Sequence, residues 1–367
     1  MTKSLRFSFL LAAFTAAMHA QTANGVSVEI STETVPAGGV AQIKLRLTEP
    51  KPIVRTSLLE MYEGAFFDAF LGISGAGGLT GVAQIQDGSL RLEMSSAQAV
   101  QLDPDYPILT LAVRTHQTLP AGRSTPVTLD LERSSWISPL GIPYGEEAKP
   151  GAVIIGGSFY ISDVRPGGGT IPAGGRFEVL GGGFTQGLKV RAEGAKLHSV
   201  TPDRFIMEAK RTIRLDGLRI TAEIGRERQV YYSYLRGDKR APSTHPALRN
   251  VMPVFSSTAA HTAIVELARA DILNAIGLQN PTGSAIEVTL TAASLFGAPL
   301  QSAKVQLGSR ETMFQTAEEI FGAPLRIGAA MLMVSSAGAV QFTAAHISAD
   351  GVRIAVPSVV TLRAATY

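Results

Sequence analysis

Alternation of apolar and polar residues is the dominant pattern along the chain from about residue 25 onward. Runs such as VSVEIS, AQIKLRLTE and PVTLDLE change character at every position, which is the period-two pattern of half-buried strands. In GVAQIQDGSLRLEMSS, Asp87–Gly88 predicts a tight hairpin turn, and Leu90, Leu92 and Met94 share one face of the following strand. The VPAGG run at residues 35–39 predicts another turn. The chain is therefore expected to be all-β.

A change in composition divides this pattern. Residues 236–250, RGDKRAPSTHPALRN, are charged, contain prolines and lack periodicity, so they predict a linker. Around this linker we expect tandem β-sandwiches over residues 25–157, 158–235 and 251–367. A single helical turn is predicted within the third sandwich, at TAEEIFG, residues 316–322.

The glycine-rich stretch at residues 165–190, RPGGGTIPAGGRFEVLGGGFTQGLKV, raises the question of a phosphate-binding loop. A nucleotide-binding loop of the Walker type needs a lysine followed by a hydroxyl residue, but Lys189 is followed by Val190. A dinucleotide loop must open a helix, whereas LKVRAEG alternates like a strand. We therefore interpret these glycines as turns between strands, and no cofactor is expected.

The first twenty residues have the organisation of a signal peptide. Lys3 and Arg6 precede an apolar run from Phe7 to Ala17, and small residues lead to a cleavage site near Ala20. We expect residues 1–20 to be removed on export, which places the protein outside the cell or at its surface. No later run of apolar residues is long enough to predict a membrane span. Without Lys3 and Arg6 the charge is close to neutral, so nucleic acid is not an expected partner.

Candidate catalytic and metal-binding residues are scattered. The chain has no cysteine, which excludes disulfides, thiolate zinc sites and a cysteine nucleophile. The histidines beyond the signal peptide form no pair at ligand spacing; they are His116, His198, His245, His261 and His346. Asp103 and Asp105 could form one corner of a calcium site, but a solvated turn is the favoured interpretation. The sequence thus predicts no metal site and no enzymatic activity.

Trp136 is the only tryptophan, and Tyr144 lies close to it in ERSSWISPLGIPYG. Exposed aromatic rings can stack on sugars, so these two residues are the candidate ligand-binding residues. Packing at the edge of the sandwich is the favoured alternative for Trp136. In VYYSY, residues 230–234, the outward tyrosines are expected to contact the next domain rather than a ligand.

Three segments resemble protein families. VSVEISTETVPAGGVAQIKLRLTE, GSLRLEMSS and GIPYGEEAKPGAVII resemble the start, middle and end of a cohesin domain or of the related carbohydrate-binding modules. FYISDVRPGGGTIPAGGRFEVLGGGF, followed by LKVRAEG and SVTPDRFIMEA, resembles an IPT/TIG domain. The first resemblance implies a jelly-roll sandwich with a protein or glycan partner, and the second an immunoglobulin-like extracellular spacer or receptor module. Residues 251–367 resemble an uncharacterised sandwich repeated in bacterial exported proteins.

These observations together predict a non-catalytic bacterial surface or secreted protein. Its function would be adhesion or binding to a protein or an extracellular polysaccharide, with the second sandwich as a spacer. The alternative is an accessory component of polysaccharide degradation, acting through a dockerin-type partner or through direct glycan binding.

Overall fold

A computed structural model of the chain describes residues 25–75, 77–234, 238–239, 243–256, 259–268 and 271–362. The predicted signal peptide therefore lies outside the described residues, as do Arg236 and Gly237. Strands dominate, and they form the three β-sandwiches that the alternating pattern predicts. None of the helices within these ranges has the length and apolar character needed to cross a membrane.

The first sandwich contains two facing sheets. Its strands are β1 (Gly25–Ile30), β2 (Thr32–Val35), β3 (Val40–Leu47), β4 (Pro52–Met61), β5 (Phe67–Gly75), β6 (Thr80–Gln86), β7 (Ser89–Gln101), β8 (Leu109–Thr115), β9 (Ser124–Leu129), β10 (Ser135–Ile137), β11 (Gly145–Lys149) and β12 (Gly151–Ile155). One sheet has the order β11-β1-β3-β8-β5, and the other has the order β6-β7-β4-β9-β12-β2, with β10 paired to β4. Inward residues of both sheets, such as Ile43 and Leu58, form the core.

Local turn chemistry in this sandwich agrees with the sequence. Gln86 pairs with Ser89 across a two-residue turn, and Gly88 adopts a φ of +75°, which confirms the predicted hairpin at Asp87–Gly88. The predicted turn at residues 35–39 is closed by the Gly39 amide, which donates to the Pro36 carbonyl at 2.9 Å. In this second turn Gly38 has a φ of +74°. Both turns thus place a glycine where φ is positive, a conformation that costs glycine little.

The second sandwich has the strand order of an immunoglobulin constant-type domain. Its strands are β13 (Tyr160–Arg165), β14 (Thr170–Ile171), β15 (Arg176–Gly182), β16 (Lys189–Ala192), β17 (Ala195–Thr201), β18 (Arg204–Ala209), β19 (Ile213–Arg214), β20 (Arg219–Ile224) and β21 (Glu227–Tyr232). The sheets β13-β15-β18-β17 and β16-β20-β21 correspond to the A-B-E-D and C-F-G sheets of that fold. The glycine-rich stretch leads from β15 directly into strand β16, as its alternation predicted.

The third sandwich is built around one long strand. After the second sandwich the chain forms β22 (Asp238–Lys239), β23 (Val251–Ser256), β24 (Ala260–Glu266), β25 (Ile272–Gln279), β26 (Ile286–Ala293), β27 (Pro299–Leu307), β28 (Glu311–Thr316), α1 (Ala317–Phe321), β29 (Met331–Ser348), β30 (Ile354–Ala355) and β31 (Val359–Leu362). All of these except β23 belong to the third sandwich. The first half of β29 pairs with β24 and β26, and its second half pairs with β25. The strand therefore belongs to both sheets. Helix α1 confirms the predicted helical turn; Thr316 and Glu319 form its capping box.

Strand β23 differs from the division expected from sequence. Although it was expected to begin the third sandwich, Val251 to Val254 pair antiparallel with β6, and Phe255 and Ser256 pair parallel with β5. Val254 is buried in the core of the first sandwich. The preceding residues, expected to be part of a linker, include a short 3-10 turn at Pro246–Leu248 in which Leu248 is buried. By its hydrogen bonds β23 thus belongs to the sheets of the first sandwich, whereas the later strands of the chain form a separate sheet.

The second sandwich packs directly against the outer face of the first. The Gln42 side chain donates to the Tyr232 carbonyl at 2.8 Å and accepts from the Tyr232 amide at 2.7 Å. Val40 and Ala112, on the same outer face, belong to the apolar core of the second sandwich. The tyrosine-rich end of β21 therefore contacts the first sandwich, whereas the sequence predicted a contact with the domain that follows. The sequence predicts a spacer role for this sandwich, and the structure shows in addition that it packs closely on the first one.

Candidate functional site

The titratable residues considered from sequence lie apart from one another. The described part of the chain contains no group of three or more histidine, aspartate or glutamate residues that could hold a metal ion. His245 accepts a hydrogen bond from the Ala247 amide at 3.3 Å, and His346 Nε2 lies 3.0 Å from the Glu266 carbonyl. The Asp105 amide donates to Asp103 at 2.8 Å, which is the geometry of a local turn. These side chains support backbone structure.

The two candidate sugar-binding residues occupy different environments. Trp136 is 0% exposed and packs in the core of the first sandwich, because β10 pairs its backbone with Thr56 on the inward side of β4. Its ring has no face available for stacking on a sugar, which corrects its choice as a ligand-binding residue. Tyr144 is half-buried, and its hydroxyl donates to the Pro52 carbonyl at 3.0 Å. Burial raises the pKa of Tyr144.

Exposed apolar side chains gather instead at one end of the third sandwich. Between β26 and β27 the chain reverses in a tight turn, in which the Gly297 amide donates to the Ser294 carbonyl at 2.9 Å. Leu295 and Phe296 occupy the tip of this turn and are 72% and 95% exposed. Turn tips normally carry polar residues or glycine, so two large apolar side chains here are exceptional.

A second loop adds to this surface. The Ala330 amide donates to the Ala293 carbonyl at 2.8 Å, and the Leu267 amide donates to the Ala330 carbonyl at 2.9 Å. These bonds place the loop at residues 323–330 beside the turn at residues 294–298. Ile327 in this loop is fully exposed. We call Leu295, Phe296 and Ile327 the apolar end.

The described residues around the apolar end carry no excess of positive charge. Residues 294–298 contain no charged residue, and residues 323–330 contain only Arg326. Glu266 and Asp271, near the ends of the segment that joins β24 to β25, are both acidic. The surface is thus apolar and without a basic cluster among the described residues.

A cavity of about 220 Å³ lies where the three sandwiches meet. We call it the junction cavity. Its wall includes Tyr106 from the first sandwich, Asp216, Tyr232 and Ser233 from the second, and Gln279 and Gln341 from the third. Gln279 and Gln341 are paired across β25 and β29.

Neither the apolar end nor the junction cavity was predicted from the sequence. A signal for the apolar end was present in the sequence, because SLFGAP puts two large apolar residues beside Gly297 in the break between two alternating runs. The junction cavity had no local signal, since its residues come from three separate segments of the chain.

Comparisons with known proteins give a weak likeness. No protein-family model and no curated protein matches the chain. The sixth cohesin of scaffoldin B from Acetivibrio cellulolyticus, solved in complex with a Cel5 dockerin mutant, is 14% identical; the alignment covers 36% of this chain and 99% of that one, with a TM-score of 0.33. The non-cellulosomal cohesin of Archaeoglobus fulgidus is 12% identical over 36% of this chain and 92% of its own, with a TM-score of 0.31. TM-scores of this size assign neither a family nor a function to the chain.

Proposed function

We propose that this chain is an exported, non-catalytic binding protein and that it binds a protein partner through the apolar end. The observation that carries the proposal is the exposure of Leu295, Phe296 and Ile327 on adjacent loops. Large apolar side chains that cluster on a surface mark interaction sites. Side chains of this kind form the centre of protein interfaces when a partner removes them from water.

The chemistry of the apolar end favours a protein over a polysaccharide. Sugar-binding surfaces depend on flat aromatic rings, but the single tryptophan is buried and the apolar end has only one aromatic ring, that of Phe296. Leu295 and Ile327 are aliphatic and suit an apolar pocket of a partner protein.

The chemistry also favours a protein over a lipid surface. Interfacial binding to anionic lipid gains strength from basic residues beside the apolar ones. Among the described residues in the loops around the apolar end, Arg326 is the only base and it stands against two acids, Glu266 and Asp271, so this attraction is missing.

The proposal also includes export from the cell and the extracellular binding role that the two resemblances imply. The organisation of residues 1–20 supports export, and the resemblances of residues 25–157 and 158–235 to cohesin-type and IPT/TIG modules support a role in extracellular binding. The second sandwich would then position the other two rather than separate them, because it packs on the first through Gln42 and Tyr232.

The test is a binding comparison with the mature chain immobilised and proteins from the envelope and medium of the producing cells offered in solution. We expect one protein to bind the wild type and to be lost from the double variant Phe296→Ser/Ile327→Ser. An apolar contact at the centre of an interface is worth about 2 kcal/mol or more, which corresponds to a loss of affinity of about thirtyfold.

The matched control is Leu140→Ser, because Leu140 is also an exposed apolar residue in a tight turn, but in the first sandwich. It should leave binding unchanged. Anionic vesicles and insoluble polysaccharides are offered in parallel. If either of these, and no protein, is bound in a Phe296-dependent manner, the proposal is wrong.

A further inference from the structure

A second cavity, of about 280 Å³, lies on the first sandwich beside the hairpin between β6 and β7. We call it the hairpin pocket. Its wall combines residues that follow β4, lie on β5 or β6 and precede β23, among them Tyr62, Phe70, Ile85, Asp87 and Asn250. The pocket therefore takes part of its wall from the segment that adds β23 to this sandwich.

Hydrogen bonds hold the wall of the hairpin pocket in place. The Tyr62 amide donates to the Gly88 carbonyl at 3.0 Å, and the Tyr62 hydroxyl donates to the Gln86 carbonyl at 3.1 Å. On the side of β23, the Ile85 amide donates to the Asn250 carbonyl at 2.9 Å. The fold itself thus forms the pocket, as is usual for small-ligand sites.

Two aromatic rings form one corner of the hairpin pocket. The centroids of Tyr62 and Phe70 are 5.6 Å apart, and the ring planes meet at 53°. Phe67, which is buried in the core, contacts Tyr62 edge to face at 5.5 Å. The faces of aromatic rings carry negative partial charge, so they attract cations as well as apolar groups.

The charge of the hairpin pocket is negative. Asp87 is the only charged residue of its wall, is exposed and forms no ion pair with a described residue. Its carboxylate lies against Gly64, where a larger residue would leave it no room. Burial and the charges of Glu60 and Asp87 raise the pKa of Tyr62. The two charges that act on this ring are therefore both acidic.

The acids that flank the wall in sequence are already paired with cations. Glu63 forms an ion pair with Arg123, and Asp68 forms one with Arg114 at 2.8 Å. Arg249, which precedes the wall residue Asn250, is exposed and is not part of the wall. A cation from outside can therefore approach Asp87 without displacing an ion pair of the chain.

These features together select for a small organic cation. Asp87 repels an anion, and a neutral ligand gains little from a charge or from the ring faces. A metal ion such as Ca²⁺ takes about six to eight oxygen ligands, whereas Tyr62, Phe70 and Ile85 make much of the wall apolar. The volume is slightly below the roughly 300 Å³ at which pockets for drug-sized ligands begin, so the cation must be small.

We propose that the hairpin pocket binds a small organic ammonium ion. Its apolar substituents pack against Tyr62 and Phe70, and its positive charge lies beside Asp87. Two sources share this chemistry, a free methylated amine and the lysine side chain of a protein, and the test separates them. The site shares no residue with the apolar end, so it stands apart from the partner proposed there.

The test measures ligand binding to the mature chain by calorimetry and by saturation-transfer NMR. Choline represents the free methylated amines, and Nα-acetyl-lysine methylamide represents a lysine side chain. At least one of them should bind with a dissociation constant of about 1 mM or tighter. The control ligand is the neutral isostere of choline, in which carbon replaces the nitrogen. It should bind about fivefold more weakly than choline, or not at all, because it lacks the charge.

Asp87→Asn removes the charge but keeps the turn, since Asn-Gly is also a preferred hairpin pair. This variant and Phe70→Leu should each weaken binding by about fivefold or more. The matched control Asp68→Asn removes the same charge from the same sandwich outside the wall, and it should bind like the wild type. The proposal is overturned if neither ammonium ligand binds, if the neutral isostere binds as tightly as choline, or if Asp87→Asn and Phe70→Leu both bind like the wild type.

Discussion

Glu60 is an ionisable residue on the core-facing side of strand β4, where the alternating pattern normally places apolar residues. It lies on the inward side of β4 with Leu58, is 0% exposed, and neither carboxylate oxygen has a hydrogen-bond partner within the described residues. Burial raises its pKa from 4.5 to about 8, because the charged form loses its hydration. At neutral pH the side chain is therefore held mainly as the neutral acid.

The free energy of unfolding should therefore depend on pH. Because the pKa of Glu60 is higher in the folded protein than in the unfolded one, its contribution to stability is fully present below the unfolded pKa of 4.5. That contribution is lost as the pH rises to about 8. One proton gives a limiting slope of about 1.4 kcal/mol per pH unit. Glu60→Gln should remove this decline, which urea unfolding of both proteins between pH 5 and pH 9 would measure. Parallel profiles for the two proteins would contradict the assignment.

Trp136 and Tyr144 should affect stability rather than ligand binding. Trp136→Ala removes a fully buried ring and should lower the free energy of unfolding by about 3 to 5 kcal/mol. Tyr144→Phe removes one hydrogen bond, to Pro52, and should cost about 1 kcal/mol. Chemical denaturation measures both. A Trp136→Ala variant that stays as stable as the wild type would contradict the burial of the ring.

At the scale of elements, strand β23 is the feature that joins the first and third sandwiches. It lies between β5 and β6 and places Val254 in the core of the first sandwich. Further bonds support the junction: Thr343 Oγ1 donates to the Gly81 carbonyl at 2.9 Å, and Gln84 Nε2 donates to the Gly351 carbonyl at 2.8 Å. The stability of the first sandwich therefore depends on residues far downstream in sequence.

This dependence can be measured because the only tryptophan, Trp136, lies in the first sandwich. Val254→Asp places an unpaired charge in that core and should destabilise the unfolding transition seen by Trp136 fluorescence by about 3 kcal/mol or more. Val352→Asp, at a position 62% exposed in the third sandwich, should leave the transition within about 0.5 kcal/mol. If the two variants shift the Trp136 transition equally, β23 does not belong to the first sandwich.

Elements set by nearby residues were predictable from sequence. The hairpin at Asp87–Gly88 follows from a two-residue turn between alternating runs, and α1 follows from the capping pair Thr316 and Glu319. The partner of β23 was not predictable, because VMPVF is an apolar run that fits any open sheet edge. Which edges were open was decided by the pairing of residues 67–86, more than 160 positions earlier in the chain.

At the scale of the whole molecule, the sandwiches form a packed assembly. The second covers part of one outer face of the first through Tyr232, and the third covers part of the other through Val82 and its neighbours. Val82 alternates outward from β6 and packs with Ala275, Ala345 and Ile347 of the third sandwich. The alternating pattern predicted three sandwiches, but contacts between outer faces depend on the shapes of whole sheets and carry no local sequence pattern.

With parts of both faces of the first sandwich used internally, the apolar end of the third sandwich is the surface most clearly available to a partner. Leu295, Phe296 and Ile327 lie on loops that are anchored by the Ala293, Ala330 and Leu267 backbone. The central claim is therefore that a protein covers this end.

Photo-crosslinking from position 296 tests that claim most directly. A benzophenone side chain replaces Phe296 in one variant and Leu140 in the control, each chain is produced in its native host, and adducts formed on irradiation are identified by mass spectrometry. The account predicts one recurring protein adduct from position 296 that is missing from position 140. No adduct at position 296, or adducts with lipid or glycan alone, would contradict it.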